Sequence, residues 1–129
     1  SELLTARLDR KSQKENSLIL DIETYINENY QDMDLTVQRA ADHFQLSISN
    51  LSHYFKNHVG VSVSGYVEQL RMHAAQELLA QTDSSVSQIA SEVGYAQPAT
   101  FMRAFKKVSG MSPTAYRTMA REQAARDNF

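Results

Sequence analysis

An internal repeat limits more than anything else what this chain can fold into. The stretch from Val37 lies over the stretch from Val86 at an offset of 49, pairing Val37 with Val86, Ala41 with Ala90, Phe44 with Val93 and Leu46 with Tyr95. The offset then becomes 50, pairing Leu51 with Phe101, Phe55 with Phe105, Lys56 with Lys106, Gly60 with Gly110, Ser62 with Ser112 and Tyr66 with Tyr116. The second copy has therefore gained one residue between two apolar runs. A residue gained in a turn is cheap, whereas one gained inside a helix rotates everything after it by about 100°. Two helix–turn–helix units explain both the match and the place where it slips. Chance likeness between amphipathic helices does not keep Gly, Ser and Tyr in step.

Caps and apolar spacing place the helices. Asn16 or Ser17 opens a supporting helix that carries Leu18, Ile22, Tyr25 and Ile26 and ends near Tyr30. Thr36 caps a short helix through Phe44; Ser47 caps the next, which buries Leu51, Tyr54, Phe55 and Val59 and stops before Gly60. Ser62 opens a long helix to about Gln81 with Tyr66, Leu70, Ala74 and Leu78 as its stripe. Its length is roughly 27 Å at 1.5 Å per residue, enough for a spacer. Ser85 and Gln88 form a capping box for a helix through Val93, and Gly94 turns the chain. Pro98 starts a helix that buries Phe101, Met102, Phe105 and Val108, and Ser112–Pro113 opens a closing helix with Tyr116 and Met119 inward.

Composition narrows the class. In 129 residues, 42% of them hydrophobic, four Gly and two Pro are too few for a sandwich with frequent turns, so the expected fold is all-α. Zero cysteines remove disulfides, thiol nucleophiles and cysteine-ligated zinc. No apolar run approaches the roughly 18 residues of a bilayer span, and the expected location is cytoplasmic. The formal charge of −2 is uneven. Residues 1–34 hold four bases against eight acids, whereas residues 35–121 hold eight bases against five. The body is mildly basic, which permits phosphate binding without establishing it.

Enzymatic chemistry has no residues to stand on: there is no Gly-rich phosphate loop, nucleophile elbow or His-Glu-x-x-His helix. His53 and His58 lie roughly 140° apart around a helix, and His43 and His73 have no ligand-spaced partner. No catalytic residue, cofactor or metal is expected.

The run Ser85-Val-Ser-Gln-Ile-Ala-Ser-Glu-Val-Gly-Tyr95, then Phe101-Met-Arg-Ala-Phe-Lys-Lys107, then Gly110-Met-Ser-Pro-Thr-Ala-Tyr-Arg117, resembles the C-terminal signature of the AraC/XylS family of bacterial transcription regulators. The first copy, Leu35 to Tyr66, and the helix with Leu70-Arg71, Ala75 and Leu78-Leu79 resemble the same domain, so the likeness covers about residues 18–120. It implies seven helices: a first helix–turn–helix subdomain at 17–61, a connecting helix at 62–82 and a second subdomain at 83–121. Residues 1–16 are expected to be a linker from an upstream sensing or dimerising domain, and 122–129 a tail. The DNA-repair methyl acceptors that carry a similar domain depend on cysteines, which are missing here.

The implied function is sequence-specific double-stranded DNA binding in transcription control, as an activator, with RNA polymerase as a second partner and this fragment monomeric. Unlike copies on one chain predict an asymmetric site read in successive major grooves, with a modest DNA bend. A module that binds protein instead of DNA is the alternative. On the first recognition helix Ser49, Ser52 and His53 share the outward face and are assigned to base edges. On the second, the family's base-reading positions fall on Pro98, Ala99, Thr100 and Arg103. Pro98 and Ala99 offer no side-chain hydrogen bond, so Arg103 is expected to carry the direct readout, with Ala99 or the Thr100 methyl against a thymine methyl. Lys56, Lys106 and Lys107 follow the apolar stripes and are assigned to phosphates. Arg71 is as suited to bracing the fold as to touching DNA.

Overall fold

The computed structural model describes residues 2–128, with side chains described at residue 14 and from residue 16 onward. Seven helices follow one another: α1 Glu2–Asn29, α2 Val37–His43, α3 Ile48–Val59, α4 Val63–Gln81, α5 Val86–Glu92, α6 Pro98–Ser109 and α7 Pro113–Asp127. No strand occurs among the described residues, so the fold is all-α.

The chain divides into two compact units. One holds the residues up to Asn29 together with Thr36–Val63; the other holds Tyr30–Leu35 and the chain from Ser64 onward. In the first, Ile19, Ile22 and Ile26 of α1, Ala40 and Ala41 of α2, and Leu51 and Phe55 of α3 are buried. In the second, Met72, Ala75 and Leu79 of α4 join Ile89, Ala90, Val93, Phe101 and Phe105 in one apolar cluster. The Tyr116 ring of α7 meets Phe105 edge-on at 5.5 Å. Burying these side chains is the main driving force for each unit.

The two copies repeat the same backbone devices. Thr36 and Ser85 accept hydrogen bonds from the N–H groups of Arg39 and Gln88, each at 3.1 Å, at the starts of α2 and α5. At their ends the Leu46 N–H reaches the Ala41 carbonyl and the Tyr95 N–H the Ala90 carbonyl, both at 2.9 Å, while Gln45 and Gly94 take positive φ. This is the Schellman arrangement, which satisfies helix-end carbonyls through one left-handed residue. Ser47 caps α3 and Gln97 occupies the same place before α6, so the residue gained in the second copy is Ala96, in the turn as the shifted offset requires. Gly60 and Gly110 end α3 and α6 in the left-handed region.

Several sequence expectations need correction. Helix α1 begins at Glu2 and runs through Asn16 and Ser17: between Leu3 and Leu18 there is no Gly or Pro, and Leu, Ala, Arg, Lys, Gln and Glu propagate a helix past a weak cap. Leu3, Leu4 and Leu8, which hint in the sequence that the linker is helical, lie within α1, and their side chains are outside those described. Helix α7 likewise continues to Asp127 through Glu122-Gln-Ala-Ala-Arg126 in place of a tail from 122. In α4 the buried positions are Val63, Met72, Ala75 and Leu79, and Tyr66, Leu70, Ala74 and Leu78 are half-buried. A strict spacing of four drifts about 40° per step around a helix, so alternation of three and four holds the core line better. Tyr54 and Val59 are half-buried, and Met102, Val108 and Met119 are exposed, at 46%, 43% and 39%. Met102 stands about 100° from Phe101 around α6, off the buried stripe. The Ser85–Gln88 box has only its hydroxyl half, with no bond returned by the Gln88 side chain among the described residues.

Candidate DNA interface

Each unit presents the second helix of its pair on the surface. On α3, Leu51 and Phe55 are fully buried, which turns the opposite face outward. Ser49, His53 and Lys56 are exposed on that face and Ser52 is half-buried beside them. These four side chains, with Ile48 and Asn57, line one open hollow. The sequence assignment thus falls on residues the fold brings together. On α6, Phe101 and Phe105 are fully buried, and Pro98, Ala99, Thr100, Met102, Arg103 and Lys106 are exposed.

At the 50-residue offset Ser49 answers to Ala99, Ser52 to Met102, His53 to Arg103 and Lys56 to Lys106. Met102, expected in the core, is exposed on α6. Carrying Ser52 across the repeat places an outward residue at 102.

Several of the bases are engaged within the protein. Arg71 donates to the Tyr30 and Asp32 carbonyls at 2.7 and 3.0 Å and lies over the Tyr95 ring, tying the segment before α2 to α4. Arg117 donates to the carbonyls of Leu79, Thr82 and Ser84 at 3.0, 3.1 and 2.6 Å. Arg121, fifty residues after Arg71, donates to the Thr82 carbonyl at 2.8 Å and to the Asp83 carboxylate at 2.6 Å. Lys107 lies 3.1 Å from Glu68, an ion pair that competes with any phosphate. Lys56, Arg103 and Lys106 are exposed and carry no ion pair among the described residues. The other histidines are partnered: His43 stacks on Tyr25 at 4.2 Å, the His58 Nδ1 sits 2.9 Å from the Tyr54 carbonyl oxygen, and His73 pairs with Glu77.

A duplicated helix–turn–helix, each copy offering a second helix with a polar or cationic outer face, defines a DNA-binding domain. The profile of the helix-turn-helix domain family matches residues 40–119. The arabinose operon regulatory protein of Escherichia coli K12 is 33% identical over 99 residues, 77% of this chain and 34% of that protein. The C-terminal domain of a two-component response regulator from Fusobacterium nucleatum superposes with a TM-score of 0.76 at 33% identity, covering 79% of this chain and 98% of that one. The DNA-binding domain of the global transcriptional factor AdpA, solved with a target DNA, has a TM-score of 0.76 at 24% identity, over 81% of this chain and 94% of that one, a likeness of fold. The chain belongs to the AraC/XylS family, as its C-terminal DNA-binding domain, and its function is DNA binding in transcription regulation. It spans less than half of the length of the curated relatives compared, 15% and 34% for two of them. No helix among the described residues is long and apolar enough to cross a membrane.

Proposed function

We propose that α3 and α6 read one asymmetric double-stranded DNA site, each entering a major groove. The observation that carries this reading is the pair of equivalent outer faces with unlike chemistry: Ser49, Ser52, His53 and Lys56 on one, Ala99, Met102, Arg103 and Lys106 on the other. Identical probes would select two matching half-sites; unlike ones select two different half-sites. Ser49, Ser52 and His53 contact base edges of one part of the site. Ala99, Thr100 and Arg103 read the other, with the Arg103 guanidinium bidentate on a guanine. Lys56 and Lys106 neutralise phosphates, and Lys107 does so only by leaving Glu68. The domain acts by binding and not by catalysis, as a monomeric module in the bacterial cytoplasm. Sensing by another domain and contact with RNA polymerase complete the activator.

Fluorescence anisotropy on selected and scrambled duplexes at several salt concentrations tests the reading. Log affinity falls with log salt, and Lys106→Ala flattens the slope by about 0.9 on every sequence. Arg103→Ala costs roughly 1–3 kcal/mol on the selected site and relaxes one position. Equal loss on all sequences makes Arg103 a phosphate clamp. Salt-independent behaviour with no preference favours a protein partner instead.

A further inference from the structure

We infer that α6 recognises the C5-methyl group of a pyrimidine, with Met102 as the specificity-determining side chain and Ala99 beside it; this rests on the DNA reading above. Met102 is 46% exposed on a helix whose phenylalanines are completely buried, so its exposure does not reflect a shortage of core. It stands at the place that Ser52 holds on α3, and Ala99 at the place of Ser49. Where the first unit offers two hydroxyls, the second therefore offers a thioether and a methyl. Residues 99, 102 and 103 recur at helical spacing, so the apolar pair is continuous with Arg103, and Lys106 follows one turn beyond.

The flanking cations identify the occupant. An apolar protein surface would leave Arg103 and Lys106 without counter-charge, whereas a duplex supplies phosphates on either side of the groove. Among major-groove base edges the apolar group is the thymine methyl. Cytosine acquires the same group when methylated at C5, so the part of the site read by α6 responds to cytosine methylation and the part read by α3 does not.

The test uses this chain and its selected duplex, with each thymine replaced singly by deoxyuridine, which lacks only that methyl. At one position at least, the replacement weakens wild-type binding about three- to tenfold, in line with burial of one methyl-sized group. Met102→Ala abolishes that penalty and Met102→Leu keeps it; circular dichroism shows both folded. At the same position 5-methylcytosine binds more tightly than cytosine. Specific binding with no deoxyuridine penalty, or a penalty that Met102→Ala leaves intact, overturns the inference while the two-helix reading stands. Loss of any preference between selected and scrambled duplexes overturns both.

Discussion

The two turns close in the same way and tolerate very different residues. At the first, Gln45 sits at φ 56 and is exposed; at the second, Gly94 sits at φ 107 and is buried. A Cβ at Gly94 would lie 2.8 Å from the Tyr30 carbonyl oxygen and 2.9 Å from the Arg71 Nε, because that turn is pressed against the segment Arg71 holds. The backbone program is shared; what each turn packs against decides whether glycine is required. The same division runs through the arginines, since Arg71 and Arg117 are spent on carbonyls and leave Lys56, Arg103 and Lys106 for a partner.

The largest expected effect comes from Arg117→Met. Three hydrogen bonds are lost, leaving the Leu79 and Ser84 carbonyls without this donor while the Thr82 carbonyl keeps Arg121, and the domain is expected to lose about 3–4 kcal/mol in urea denaturation. Arg121→Ala, whose ion pair is on the surface, is expected to cost less than about 1 kcal/mol. Gly94→Ala follows, at about 2–3 kcal/mol from positive φ combined with the backbone clash. A neutral result would mean the second turn is as free as the first. Gln45→Gly sharpens the contrast in the other direction, because it relieves a side chain at positive φ but frees the unfolded chain. A melting temperature within a few degrees of wild type, equivalent to about 1 kcal/mol or less, is expected.

Tyr95 carries the smallest effect, and it appears only in alkali. Burial raises its phenol above the ordinary value, Glu68 adds to the rise, and Arg71 opposes it by charge and hydrogen bond. The folded state therefore prefers the neutral phenol. The resulting stability is complete below the unfolded value near pH 10 and is lost as pH rises through the higher folded value. As pH rises above about 10, wild type is expected to lose more stability than Tyr95→Phe, measured by denaturant midpoint, and below that pH the two are expected to change alike; equal losses above about pH 10 would remove the effect.

The repeat makes most of the fold legible in the sequence, because caps and the 49-to-50 slip are local signals. Thr36, Ser47, Ser85 and Ser112 all cap the helices that follow them. Helix ends without a breaker were not legible: α1 and α7 outrun their expected limits because propensity alone sustains them. Reading Met102 as core followed its hydrophobicity, when its equivalence to Ser52 was the better guide. The tie between Lys107 and Glu68 joins residues 39 apart and has no sequence signature.

Selection from a random duplex pool, run in parallel with wild type, His53→Ala and Arg103→Ala, tests most directly whether two unlike helices share one site. The expected outcome is a non-palindromic consensus in which His53→Ala relaxes bases on one side and Arg103→Ala relaxes bases on the other. A palindromic consensus, or both variants relaxing the same position, would contradict it.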